Sequence, residues 1–294
     1  MSIRVCEGVL PWCLEGFWMD EFKIRELNTM ISAIDKDFDF VGLYSGHGGV
    51  RIGKSVNAQQ DGLYITTEVR RKFKVDIPWN EVDNFAFKGD ELIEKAKKLP
   101  PYSVIVFDEA GSDLVGRKFM QATTQALLDF FRECGQLNLF FLCVLPDYFE
   151  LPRPIAINRS TYLVDVDFKE AFQRGKFSFY GPRAKKYLYL KGKKWLDYDA
   201  QSSDFHGSFP NVYTVDEAKY RVRKYEALTG RKKDEEDKTQ KRNNKFILQR
   251  DTAIYKRYKK GDTQEQIGDD FDMDRANVSL RLRNMKELYE GSSA

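Results

Sequence analysis

The chain has 294 residues, a formal charge of +3, 42% hydrophobic residues and 14% aromatics, which suffices for a packed core and excludes a globally disordered chain. No apolar run reaches the roughly 18 residues of a membrane span, and Cys6, Glu7, Trp12, Glu15 and Asp20 interrupt the start in a way unlike a signal peptide, so a cytoplasmic protein is expected. Four cysteines (Cys6, Cys13, Cys134, Cys143) lack a C-x-x-C spacing and read as free thiols, and two histidines, His47 and His206, are too few for a structural zinc site.

Residues 1–37 form an N-terminal extension that offers a place for a protein partner; within it, apolar residues at Phe22, Ile24, Leu27, Ile31 and Ile34 predict an amphipathic helix over 19–34. Phe38, Phe40, Val41 and Leu43 then read as a buried strand, which breaks into Gly46, Gly48 and Gly49 and closes on Gly53, Lys54 and Ser55. Positions 48–55 fit G-x-x-x-x-G-K-[ST], the phosphate-binding P-loop. A loop that wraps a phosphate needs glycines so that backbone N–H groups can point inward, and the helix behind it turns its positive dipole end to the same anion. Gly48, Gly49, Gly53, Lys54, Ser55 and Val56 would cradle ATP, with Lys54 on the β- and γ-phosphates and Ser55 on Mg²⁺. His47 reads as a loop residue. The helix is expected to be short and to end near Gly62, with a connection or extra strand around Val75 and Ile77, then a charged helix over 89–99 stopped by Pro100 and Pro101.

Val104 to Phe107 form a β-branched apolar run ending in Asp108 and Glu109. Alone, this is a buried strand with a solvated acidic end. Coupled to the glycine loop, it is the Walker B pattern, with Asp108 holding Mg²⁺ and Glu109 polarising the attacking water. A helix over 117–134 leads to a continuous apolar run at 137–145, the mark of a central strand. Asp147, at its C-terminal end, is either a γ-phosphate sensor or a turn aspartate. Another strand follows at 162–166, and alternating βαβ units imply a parallel, helix-covered sheet with its ligand at the carboxyl ends of the strands.

Residues 174–194 read as a β-hairpin about a Gly-Pro turn, with Arg174, Lys176, Arg183, Lys185, Lys186, Lys191, Lys193 and Lys194 among aromatics. Lys185 and Lys186 are candidates to contact DNA there, although a solvated hairpin face explains the pattern almost as well. Residues 219–294 carry 20 Lys/Arg against 14 Asp/Glu, so the basic excess sits in the C-terminal quarter and points to nucleic acid. The stretch 230–244 is nearly devoid of apolar residues, a linker or exposed helix; the expected division is 1–229, a charged linker 230–245, and 246–294. In the last part, helices over 246–258, 263–271 (Thr263 as N-cap) and 275–288 would bury Ile254, Tyr258, Ile267, Phe271, Val278 and Leu282. The tight turn and basic third helix suggest a helix-turn-helix with Arg275, Asn277, Ser279, Arg281 and Arg283 toward DNA; the alternative is a three-helix protein-interaction module.

The stretches 53–60, 106–111, 138–149 and 158–160 resemble P-loop ATPases of prokaryotic viruses and mobile elements, similar to the HerA/FtsK-like group of DNA-translocating and DNA-packaging motors. The resemblance covers about residues 20–225, including 188–194 and 205–209. It implies an α/β P-loop NTPase of the additional-strand, catalytic-glutamate type, and a homo-oligomer, often a hexameric ring, with ATP between subunits. A neighbour's arginine would complete the site; Arg159 is the first candidate and Arg153 the second, each also readable as a salt-bridged structural arginine. Asp147 departs from the glutamine or asparagine sensor of that pattern. The expectation is a Mg²⁺-dependent ATP hydrolase that moves, packages or transfers double-stranded DNA. The alternative is a DNA-binding regulator or scaffold that uses ATP as an assembly switch. A small-molecule kinase is disfavoured because no arginine-rich lid is recognisable.

Overall fold

A computed structural model describes residues 2–3, 17–46, 51–108, 122–170 and 173–290, with the backbone alone at 2–3, 122–124, 231–239, 241–242 and 288–290. The chain divides into two compact units, Met1–Lys224 and Tyr225–Ala294.

In the first unit, β1 (Ser2–Ile3) and β2 (Met19–Asp20) pair antiparallel. Asp20 caps α1 (Glu21–Ile31), its carboxylate accepting from the N–H groups of Phe22 and Lys23. The main sheet has seven strands in the order β4 (Phe85–Ala86), β5 (Val104–Phe107), β6 (Phe140–Val144), β3 (Phe40–Ser45), β7 (Tyr162–Glu170), β8 (Gln173–Tyr180) and β9 (Phe205–Ser208). The first five run parallel, and β8 and β9 are added antiparallel. Every residue of β6 is buried, as the continuous apolar run requires of a strand covered on both faces.

On one face, Val41, Leu43, Ile105, Phe107, Phe141, Cys143 and Leu163 pack against α3 (Gly89–Lys98), α4 (Ala122–Glu133) and α5 (Pro182–Gly192). The opposite face meets α1 and α2 (Lys54–Phe73). This is an α/β architecture with a mostly parallel sheet between helical layers. Among the described residues no helix is long and apolar enough to cross a membrane.

Two sequence expectations are corrected here, and one left open, a connection or an extra strand around Val75 and Ile77, is decided for the connection. Helix α2 runs 20 residues, through Asp61 and Gly62. Asp61 is buried and takes the Lys23 ammonium at 2.7 Å and the Tyr44 hydroxyl at 2.6 Å, while Gly62 admits the Trp79 ring. These two residues are helix packing sites, although alone they read as a stop. The edge strand forms at Phe85–Ala86, whereas residues 74–79 around Val75 and Ile77 have no regular structure. The expected basic hairpin is also absent: only its first arm, β8, is a strand, and Pro182 opens a helix. Ala184, Lys185, Leu188, Tyr189 and Gly192 are buried, a spacing of three to four that overrides the apparent alternation of 187–190. Pro182 fits the first helical turn, where no N–H is needed.

In the second unit, the tail of α6 (Glu217–Lys259), α7 (Gln264–Phe271) and α8 (Arg275–Glu290) surround a small core. Ile254, Ile267, Val278 and Leu282 are buried there, with Tyr255, Tyr258, Phe271 and Met273 packed around them. Thr263 and Gln266 form a capping box at the start of α7, and Asp272, in the left-handed region at φ 51°, ends it. Residues 230–244 are helical.

Candidate functional site

Because β5, β6, β3 and β7 are parallel, their carboxyl ends share one edge of the sheet. The strand order reverses about β3, which lies between β6 and β7, and that is where open α/β sheets form a ligand crevice. Strand β3 ends at Ser45, and Gly46 follows so close to β7 that a Cβ would fall 2.4 Å from the Val166 carbonyl oxygen. Residues 47–50, with the predicted Gly48 and Gly49, lie outside the described residues, as does Glu109. Beyond them, Arg51 and Gly53 have φ of 64° and 105°. Glycine suits the second position because L side chains are strained there. Gly53 caps α2, and the first intrahelical bond runs from Asn57 N–H to its carbonyl (2.9 Å), so Lys54, Ser55 and Val56 form the helix's first turn.

Lys54 extends to the end of β6, where its Nζ lies 3.4 Å from the Pro146 carbonyl oxygen. The Ser55 hydroxyl donates to Asp108 Oδ1 at 3.1 Å. Asp108 sits at the end of β5, one strand removed from β3 because β6 is inserted between them, and is fully buried. Lys54, Ser55 and Asp108 are thus brought together from positions 54 residues apart or less in sequence but on different strand ends.

Two further residues join them that sequence reasoning missed. Tyr220 Oη and Lys224 Nζ, from the first two turns of α6, both donate to Asp108 Oδ2, the lysine at 3.0 Å. Phe85 and Phe87 seat the Tyr220 ring, at centroid distances of 5.5 and 5.8 Å, and Arg223 pairs with Glu91 at 2.9 Å. Burial, and then the Asp108 charge, hold the Tyr220 phenol well above its ordinary pKa, so it remains a donor. In the sequence, Lys219 to Lys224 is one more basic stretch, with no local sign that it reaches a carboxylate more than a hundred residues away.

Asp147 follows β6 at the same edge, but its Oδ1 accepts from Phe149 N–H (2.9 Å) and the Tyr198 hydroxyl (2.8 Å). Tyr198 also contacts the Ser45 hydroxyl at 2.9 Å, tying β3 to β6 at their ends. The donor set suits magnesium: a hydroxyl and one carboxylate, with the remaining positions left to water and phosphate. Among the described residues no group of three or more His, Cys, Asp or Glu side chains could hold a metal by itself.

Several predicted site residues fall elsewhere. Arg159, the first choice for a finger offered to a neighbour, pairs with Asp39, donates to the Phe131 carbonyl and lies 3.2 Å from Cys134 Sγ. Asp39 immediately precedes β3, so this is the amino edge of the sheet, opposite Lys54. A partly buried guanidinium satisfied within its own chain is a structural group. Cys134 and Cys143 are free and buried, their thiols pushed up to about 11 and about 12 by burial. Lys185 is fully buried, donating to the carbonyls of Ala156 (2.9 Å) and Ile157 (3.1 Å), and cannot reach DNA; Lys186 is exposed.

On α8, Arg275, Asn277, Ser279 and Arg283 are exposed, Arg275 pairing with Glu265 at 3.2 Å and Asn277 bonding to Asp274. Arg281 instead turns inward, its Nη1 meeting both oxygens of Asp251 at 3.0 and 3.1 Å, so it braces α8 against α6. Comparison with models of known protein families, with curated proteins and with solved structures finds no match for this chain.

Proposed function

We propose that the chain binds Mg²⁺-ATP at the carboxyl edge of its sheet and hydrolyses it to move, package or transfer DNA. The observation that carries this reading is the pairing of Ser55, in the first turn of α2 beside Lys54, with Asp108 at 3.1 Å across the inserted strand β6. A strand between the loop-bearing β3 and the acidic β5 is the layout of the additional-strand class of P-loop NTPases. Lys54 would hold the β- and γ-phosphates, Ser55 and Asp108 the magnesium, and Glu109 would orient water. The bound metal would supply charge neutralisation on the phosphates. In the second unit, the turn between α7 and α8 and the exposed Arg275, Asn277, Ser279 and Arg283 support a helix-turn-helix facing DNA. If a ring forms, Arg153, which is exposed, is the remaining candidate for the finger.

A second reading, ATP as an assembly switch with little turnover, is favoured by Lys224 and Tyr220, which engage Asp108 Oδ2 and would compete with a metal for that carboxylate. Steady-state ATP hydrolysis with and without double-stranded DNA separates the two. DNA-stimulated turnover that weakens with salt supports the motor; ATP-dependent DNA binding without turnover supports the switch. Lys54→Ala is expected to abolish nucleotide binding, and Glu109→Gln to bind ATP while losing turnover by 10²-fold or more, on the order of a general-base contribution. Retained turnover in Glu109→Gln rejects the assigned chemistry.

A further inference from the structure

The outward face of α5 has no role in the nucleotide reading, yet its composition is unusual. Between Pro182 and Leu196 there are six Lys/Arg and no Asp or Glu. Lys185 is spent in the core, and Lys193 reaches back to the Leu151 carbonyl at 3.2 Å. The other four, Arg183, Lys186, Lys191 and Lys194, are exposed. Large side chains stand among them in water: Tyr187 at 41% exposure and Trp195 at 75%. Cations lie over these rings, with Arg183 and Lys191 at 5.9 and 5.5 Å from the Tyr187 centroid and Lys194 at 4.8 Å from that of Trp195, on long side chains that a stacking base can displace toward its phosphates. Beside Tyr187 lies a concavity of about 340 Å³, walled by Arg183, Lys191, Gln201 and Asp204. The Asp204 carboxylate accepts from Gly181 N–H at 2.6 Å, and the Gln201 amide oxygen from Lys191 at 3.2 Å.

From this geometry we infer that the α5 face is a binding site for single-stranded nucleic acid. Bases stack on Tyr187 and Trp195, and the cations beside each ring take the flanking phosphates. Aromatic platforms set among cations suit a strand whose bases are unpaired, because a duplex hides the base faces. A membrane surface would instead need a continuous apolar stripe on the exposed side. Here Ala184, Leu188 and Tyr189 turn into the core; outward, Tyr187 and Leu190 stand among Arg183, Lys186 and Lys191, and Trp195 and Leu196 follow Lys194 just past the helix, so cations interrupt the apolar side chains. In the concavity, Gln201 and Asp204 offer an amide and a carboxylate to a base edge. The proposal gives Lys54 and Asp108 no part in this site, and binding is expected without ATP.

The test is fluorescence anisotropy of a labelled oligothymidylate of roughly ten nucleotides on the full-length chain without nucleotide. Binding is expected to weaken fivefold or more in Tyr187→Ala and again in Trp195→Ala, as for the loss of a stacked base. Tyr187→Phe keeps the ring and is expected to bind as the parent does. Arg183→Ala with Lys191→Ala should flatten the salt dependence by about two phosphate contacts. Lys36→Ala, an exposed cation outside every candidate site, should leave oligothymidylate binding unchanged, which separates loss of this site from a general loss of positive charge. All the altered α5 side chains are exposed, so matched melting temperatures show the variants to be folded. The inference is overturned if the parent does not bind, if Tyr187→Ala and Trp195→Ala bind normally, if a duplex of the same length binds more tightly through these residues, or if they serve phosphatidylserine vesicles and not the oligonucleotide.

Discussion

Lys23 and Asp61 illustrate how much single residues can carry. The two side chains are 2% and 1% exposed and meet at 2.7 Å, with Asn57 accepting from the lysine and the Tyr44 hydroxyl donating to the same carboxylate oxygen, Asp61 Oδ2. Burial pushes the lysine down and the carboxyl up, and the partner's charge opposes each shift. Removing one partner strands the other, so Asp61→Leu is expected to cost about 3–5 kcal/mol in urea unfolding. Adding Lys23→Met to it should recover part of that loss. A double-variant loss equal to the sum of the Asp61→Leu and Lys23→Met losses would mean that the pair is not coupled.

Lys185 is a different case, a buried ammonium whose partners among the described residues are carbonyls and not a carboxylate, and burial lowers its pKa from 10.5 to about 8. Below about pH 8 it is charged in both the folded and unfolded states, and folding bears the full desolvation cost. Between about 8 and 10.5 the folded chain releases the proton while the unfolded chain retains it, so stability from this group rises with pH. Relative to Lys185→Met, the parent should gain up to about 3 kcal/mol between pH 7 and pH 10.5, as measured by denaturant unfolding.

Among the elements, α2 decides the geometry of the candidate site, because its first turn carries Lys54 and Ser55. Its third turn contains Gly62, where an added Cβ would fall 2.3 Å from the Trp79 ring. Trp79 is itself fixed against Phe85 and donates to the Thr214 carbonyl at 3.3 Å. Gly62→Ala therefore sets a helix-propensity gain of about 1 kcal/mol against overpacking of about 1–3 kcal/mol. A lower melting temperature is expected; a higher one would show that Trp79 yields without cost. Helix α5 teaches the converse lesson. Its Tyr187-Leu188-Tyr189-Leu190 run alternates as a strand would, and only the burial of residues four apart reveals the helix.

At the scale of the whole molecule, the two units differ sharply in core size. The first buries a sheet between helical layers, whereas the second rests on Ile254, Ile267, Val278 and Leu282. Small cores are marginal, and Ile267→Ala should remove about 2–5 kcal/mol, a large part of what such a unit can have. In the full-length chain, hydrogen exchange should show amides of α7 and α8 losing protection while those of β5 and β6 keep theirs. Uniform loss across both units would indicate a single cooperative block.

What the sequence determined by itself is the set of features that depend on neighbours within a turn or a strand. The apolar runs placed β3, β5, β6 and β7, Thr263 marked its cap, and the spacing of Ile254, Ile267, Val278 and Leu282 named the second core in advance. The Gly53, Lys54, Ser55 pattern and Asp108 were likewise legible as candidates, because the proposed chemistry would restrict residue type at fixed spacing. The tertiary structure alone decided the strand order that inserts β6, the seating of Tyr220 and Lys224 on Asp108, the inward turn of Lys185 and Arg281, and the capture of Arg159 at the far edge of the sheet. A lysine or arginine reads as a surface charge until the fold supplies a buried carboxylate or carbonyl, often more than a hundred residues away, and that partner carries no signature in the local sequence.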